Sequence, residues 1–313
     1  MTEGYRALRE GAAVFDLSSR GKIQVRGEDR VRLLHAITTN HVEQLGPGQG
    51  CYAFFLNPQG RILADVNLFR LPDHLLLDTE PETREKILRH IDKYVIADDV
   101  TLEDVTSRIA TIAVEGPKAE ALLRKLGGTV PAEPYHTREW NACRIARLSA
   151  TGAAGYWIFA PAGEKADLLA RLAAAGAVTA SPEAIRILRL ENGRPRYGED
   201  FSEDYIPHET QLLGAVHFNK GCYIGQEIVE RVRSRGHVNR LLVQLRLDAA
   251  EAPAAGTPLE ADGSEVGKIT SAARSPALGR VAALGYVRTR WAREGARLKA
   301  AGAPVTVWAS RPG

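Results

Sequence analysis

Apolar and polar positions alternate in GKIQVRG near the start of the chain, the pattern of a short, half-buried strand. The period then changes. After Gly27-Glu28-Asp29, the run VRLLHAITTNHV places Val31, Leu34, Ile37 and Thr38 at helical spacing, with Asp29 as the expected N-cap. The glycine-rich GPGQG that follows leads into a strand-like run rather than a helix, so it reads as a turn and not as a phosphate loop. CYAFFLN and RILADVNLFRL, joined by Pro58-Gln59-Gly60, read as a hairpin. HLLLDTE reads as a third strand and PETREKILRHIDKYVI as a helix.

The same grammar returns further on. RIATIAVEG, CRIARLSA and GYWIFAP alternate as strands, PKAEALLRKL and EKADLLARLAAAG read as helices, and Pro182 opens another helix in PEAIRILRL. Strand pairs mixed with helices predict an α+β fold with mostly antiparallel pairing. The stretch ENGRPRYGEDFSEDYIPHET is polar and irregular, either a functional loop or a long solvated one. From Arg240 onward short strands and turn residues alternate closely, which predicts a small β-barrel or sandwich. The expected division is therefore residues 1–240 and 241–313.

At 313 residues and 44% hydrophobic, the chain can bury a large core in two or three domains. No run reaches the roughly 18 apolar residues of a membrane span, and the N-terminus lacks a secretory h-region, so a cytoplasmic location is expected. Cys51, Cys143 and Cys222 form no CxxC pair. That argues against disulfides and against a metal site. A net charge of +3 does not by itself imply nucleic acid, but Arg231, Arg233, Arg235 and Arg240, with His237, make a local basic run. This run is a solvated helix face or a site for an anionic tail, phosphate or RNA. An RNA-associated module would show affinity that falls steeply with salt.

The candidate chemistry centres on KGCYIGQE, residues 220–227. Ile224, Ile228 and Val232 fall at spacing four, so a helix is expected to begin near Tyr223 with Cys222 in its first turn. There a helix N-terminus and Lys220 would lower the thiol pKa from about 8.5. The alternative is a small buried side chain, the reading that fits Cys51 and Cys143. A Cys222–His217 dyad cannot be read from spacing.

KGCYIGQE resembles the signature of the YgfZ-type folate-binding proteins, relatives of the aminomethyltransferase (T-protein) of the glycine cleavage system. LLHAITTNHV, NPQGRILADV, LRLENGRPRYGED, IPHET and VGKITSAARSPALGRVAALGYV stand in matching order, so the resemblance covers nearly the whole chain. It implies a cloverleaf of three domains: two interlocked α+β domains around a folate cavity, and a C-terminal β-barrel. It also implies tetrahydrofolate or a derivative as cofactor, and a monomer that supports iron–sulfur client proteins, tRNA-modifying ones among them.

Residue by residue, the T-protein acid pair corresponds to Ala64-Asp65, with one acid missing, which weakens the case for aminomethyl transfer. Asp65 either faces the cavity or is an outward polar residue of its strand. Glu191, in the LRLE segment, is implied as the pterin ligand through paired hydrogen bonds, with Tyr197 near it. Cys222 is implied as the working thiol, with Lys220, Gly221, Tyr223, Gly225, Gln226 and Glu227 as its motif. His41 stands where relatives often carry an acid. One thiol cannot hold a cluster, which normally takes four protein ligands. The leading expectation is a folate-binding iron–sulfur assembly or repair factor, with uncertain turnover, and the alternative is a folate-dependent aminomethyl or one-carbon transferase.

Overall fold

A computed structural model describes residues 1–309, with the exception of the Arg235 side chain. The architecture is α+β with mostly antiparallel sheets and a closed C-terminal barrel.

The first two strands go to different sheets. Ala13–Asp16 pairs with Ile109–Glu115 and, in parallel, with Val178–Thr179, inside a six-stranded sheet. Only four residues on, Gly21–Arg26 pairs with Leu75–Thr79 and Thr101–Asp104 in a five-stranded sheet, so the two α+β units share their opening segment. The predicted hairpin is Gly50–Leu56 with Ile62–Arg70, turning through Asn57 and Gly60. Each sheet packs helices on one side through its own core. A third core cluster joins the two sheets, the helix Pro182–Glu191 and the barrel.

The barrel closes through the strands Arg240–Leu247, Arg280–Arg288, Ser264–Ser275, Pro258–Ala261, Arg297–Ala300 and Ala303–Ala309. Its interior is aliphatic, with Val243, Leu245, Val266, Ile269 and Val287 fully buried. Among the described residues no helix is long and apolar enough to cross a membrane.

Three local expectations change. Asp29 does precede the helix Arg30–Ile37, but its carboxylate receives the Asp99 N–H and an Arg32 pair instead of capping the helix. The helix of the cysteine motif spans Gln226–Arg235, three residues later than expected, because Gly225 adopts φ 81° and starts the helix only after itself. The segment 192–205 is polar without being loose. Asp200 is buried and takes hydrogen bonds from Thr270 (2.7 Å), Ser271 (2.5 Å), Arg189 (2.6 Å) and the Arg196 N–H (3.0 Å), tying helix, loop and barrel together.

Candidate active site

Strand geometry builds the centre of the molecule. In Ile62–Arg70 alternate side chains share a face, so Asp65 and Asn67 point the same way. Tyr52 lies directly across from Asn67 in the hairpin, and Asp78 lies across from Asn67 on the other side. Asp65, Asn67 and Tyr52, with Arg20 and Glu80, line one wall of a cavity of about 600 Å³, and Asp78 lies buried behind it. Tyr135, Trp157 and Ser149-Ala150 form the opposite wall. The helix Pro182–Glu191 contributes Pro182, Ile185, Arg186 and Arg189, and Arg194 and Arg196 follow from the loop.

Among the described residues that line the cavity, Asp65 is the acid with a buried oxygen left unpaired. Oδ2 accepts the Tyr52 hydroxyl at 2.8 Å, whereas Oδ1 is buried and has no hydrogen-bond partner. Burial, then the nearby Glu80 charge, push its pKa up to about 6 against the opposing pull of Arg20. Glu80 behaves oppositely: burial works against its charge, but Arg20 and Arg196 hold it below the usual carboxylate range. Tyr52 is pushed well above the usual phenol value by burial and by Asp65, so it remains a proton donor to that carboxylate. Glu115, beneath the opposite wall, fixes the 149–151 segment by accepting from the Ser149 hydroxyl, the Ala150 N–H and the Thr151 N–H and hydroxyl.

Several residues singled out from the sequence sit elsewhere. Glu191 is not on the cavity wall. The helix presents positions 182, 185, 186 and 189 to the cavity and turns Glu191 the other way. There its carboxylate accepts from Tyr5, Ser275 and Arg9 (2.5 Å), joining the N-terminal helix Glu3–Glu10 to the barrel. Tyr197 is also off the wall. It is buried edge-on to Phe201 with its hydroxyl donated to the Leu63 carbonyl at 2.6 Å, a packing role.

The cysteine motif is likewise separate from this cavity. Cys222 is exposed and lies before the helix rather than in its first turn. Lys220 does not supply the expected charge to the thiol. Its Nζ turns inward to the carbonyls of His35 and Thr38 (2.5 Å to the latter), and burial lowers its pKa to about 8. Tyr223 is buried beneath Lys220, and Gln226 closes the turn by accepting the Tyr223 N–H at 3.1 Å. Glu227 is exposed and paired with Arg231.

Glycine is required at Gly225. A Cβ there would lie 2.6 Å from the Asn57 carbonyl, because the motif docks on the Asn57–Gly60 turn. Gly221 also has positive φ, in open space. His217 meets His41 ring to ring instead of forming a dyad with Cys222, and His41 in turn meets His35. Among the described residues no His, Cys, Asp or Glu group is arranged to hold a metal. Within the arginine run Arg231 pairs with Glu227, Arg233 with Glu230 and Arg240 with Glu209, and the Arg235 side chain lies outside the described residues.

Tyr52, Arg20, Glu80, Arg194 and the Tyr135 and Trp157 walls were not anticipated. The available signal was polar residues recurring every second position in otherwise apolar strands: Asp65 with Asn67, and Asp78 with Glu80.

Residues 1–220 match the family model described as the GCVT N-terminal domain, and residues 240–309 match the glycine cleavage T-protein C-terminal barrel domain. The chain is 33% identical over 290 residues to an aminomethyltransferase of Rubrobacter xylanophilus, covering 90% of this chain and 78% of the relative. It is 31% identical over 276 residues to a chloroplastic protein of Arabidopsis thaliana named as a transferase, covering 86% of this chain and 63% of that longer relative. The crystal structure of the glycine cleavage system aminomethyltransferase T from Bartonella henselae superposes with a TM-score of 0.90 at 24% identity, over 99% of this chain and 90% of that one.

Proposed function

For a chain that belongs to the glycine cleavage T-protein family, we propose a folate-dependent one-carbon transferase, of the aminomethyl type, with Asp65 as its working acid and base. The observation that carries this reading is the buried, unpartnered Asp65 Oδ1 inside a folate-sized cavity. A carboxylate with one free oxygen accepts a ligand N–H, and a pKa near 6 lets it hold or release that proton close to neutral pH. Tetrahydrofolate, when bound, supplies the nitrogen that carries the one-carbon unit. Tyr52 fixes the orientation of Asp65, burial with Glu80 and Arg20 sets its proton affinity, and Tyr135, with Trp157 under the Arg20 guanidinium, lines the cavity for an aromatic ring system. The Ala64 substitution removes the family's second acid but leaves this arrangement whole. In the hairpin Ala64 is fully buried in the helix-side core of its sheet.

The test is tetrahydrofolate binding by calorimetry, followed by transfer from an aminomethyl donor. Asp65→Asn is expected to lose about 10²–10⁴-fold in rate while remaining folded. Transfer by Asp65→Asn at the wild-type rate, or the absence of any folate binding by wild type, ends the proposal.

A second reading, the YgfZ-like one, is favoured by a single observation: Cys222 is exposed on a loop whose neighbours are firmly anchored. In that reading the chain binds folate in the cavity and uses Cys222 toward iron–sulfur client proteins. Cys222→Ser would then leave folate binding intact and fail to sustain a cluster-dependent enzyme in cells. Full support of that enzyme by Cys222→Ser rejects it.

A further inference from the structure

The cations of the cavity differ in how they are neutralised. Arg20 is paired with Asp78 (2.7 Å) and Glu80, Arg186 with Glu199, Arg189 with Glu199 and Asp200 (2.6 Å each), and Arg196 with Glu80 (2.7 Å) and Glu82 (2.8 Å). Arg194 stands on the same cavity lining without a carboxylate at ion-pair distance among the described residues; its side chain meets the Tyr135 hydroxyl and interacts at longer range with Tyr52 and Glu115. Glu115, the buried acid nearby, has already committed both oxygens to the 149–151 segment. A guanidinium stays charged at any biological pH, and holding one partly buried without a carboxylate in contact costs free energy. Its donors therefore remain available to the cavity.

Two further features surround it. Tyr135 adopts φ 59°, a left-handed conformation that an aromatic residue rarely takes and that fold constraints must hold in place. At the other polar end, Asp65 Oδ1 lacks a donor, and Tyr52 both donates to Asp65 and feels the Arg194 charge. The cavity thus has one open acceptor and one open cationic fork.

We propose that Arg194 is a carboxylate-recognition fork, so that the occupant of the cavity presents an N–H group to Asp65 and a carboxylate to Arg194. The N–H end rests on the folate reading above, whereas the carboxylate end is argued from Arg194 alone. Two sources share this chemistry: a glutamyl carboxylate of the folate itself, and the carboxylate of a small N-methylated amino acid bound in the cavity. A planar guanidinium suits either through two parallel N–H···O bonds.

Calorimetry on the full chain separates them, using wild type, Arg194→Gln and Arg194→Lys, with tetrahydrofolate, the carboxamide of tetrahydropteroic acid (which has neither glutamate nor carboxylate) and N-methylglycine as probes. Arg194→Gln is expected to weaken tetrahydrofolate binding about 10- to 100-fold and to leave the carboxamide unchanged, with Arg194→Lys intermediate. If both pterins bind Arg194→Gln as they bind wild type and only N-methylglycine is lost, the fork serves the amino acid. Equal affinity of all three probes for wild type and both variants overturns the proposal. So does an equal loss of the carboxamide and tetrahydrofolate, which would mean a collapsed wall. If wild type binds no pterin yet binds N-methylglycine through Arg194, the folate reading falls and the fork stands.

Discussion

The cavity around Asp65 and the loop around Cys222 are both rich in distinctive residues, but they use polar groups in opposite ways. In the cavity, two groups are left open, the Oδ1 of Asp65 and the guanidinium of Arg194, while the surrounding charges are paired. In the loop, Lys220, Gly225 and Gln226 are committed to the protein itself, Tyr223 is buried with its hydroxyl unpaired, and Cys222 is exposed. Incompletely satisfied buried groups point to a ligand. Anchored groups such as Lys220 and Gln226 point to a mount that holds the exposed Cys222 side chain in place.

Four substitutions sharpen or break this contrast. The largest effect is expected from Asp65→Asn, with a loss of transfer rate equivalent to about 3–5 kcal/mol, read by single-turnover kinetics. The same variant should be more stable than wild type at about pH 7.5. Burial raises the folded-state pKa of Asp65 to about 6, so the folded state resists ionising it. The cost is fully present above that pH, shrinks below it, and vanishes below about pH 4, where the unfolded chain is protonated too. Thermal melts of the two proteins should therefore converge on acidification, and a constant offset would mean that Asp65 does not titrate as described.

Next is Gly225→Val, where the Cβ would meet the Asn57 carbonyl at 2.6 Å in a backbone with φ 81°. A loss of about 3 kcal/mol or more in stability is expected from chemical denaturation. Wild-type stability would show the motif to be loosely mounted. Glu191→Gln should cost about 1–3 kcal/mol, since it removes the charge that Arg9 pairs with and disturbs the bonds to Tyr5 and Ser275. Tetrahydrofolate affinity, measured on the folded variant, should not change. A large selective loss of affinity would return Glu191 to the binding site. Cys222→Ser is expected to have the smallest effect, within about 0.5 kcal/mol in stability, as for an exposed side chain with no partners. Its folate affinity should match wild type, and a marked drop would couple the loop to the cavity.

Much of the architecture was legible because strand and helix periods differ. The hairpin through Asn57–Gly60, the helix opened by Pro182 and the barrel strands after Arg240 all follow from local pattern. The site was legible only in part. Asp65 could be singled out, but which face of its strand looked inward depended on the second sheet, whose strands come from distant parts of the chain. Glu191 misled because its place in a motif says nothing about helix rotation, and rotation sets its neighbours as Tyr5 and Ser275. The start of the Cys222 helix was misplaced because the apolar spacing at 224, 228 and 232 continues past the point where Gly225 leaves helical geometry. Arg194 gave no signal at all, since an arginine without a partner looks the same in sequence as one with a partner.

The carboxylate of Glu191 also bears on the order in which the chain becomes complete during synthesis. Tyr5 and Arg9 leave the ribosome first, Glu191 follows more than 180 residues later, and Ser275 comes a further 84 residues on. Until that serine emerges, the acid holding the first helix lacks one of its donors. The opening strand Ala13–Asp16 similarly waits for Ile109–Glu115 before it has a neighbour. A nascent chain halted anywhere before the barrel would carry an unfinished latch between its two ends, so quality control could distinguish truncated copies from complete ones by how readily the N-terminal helix is cut.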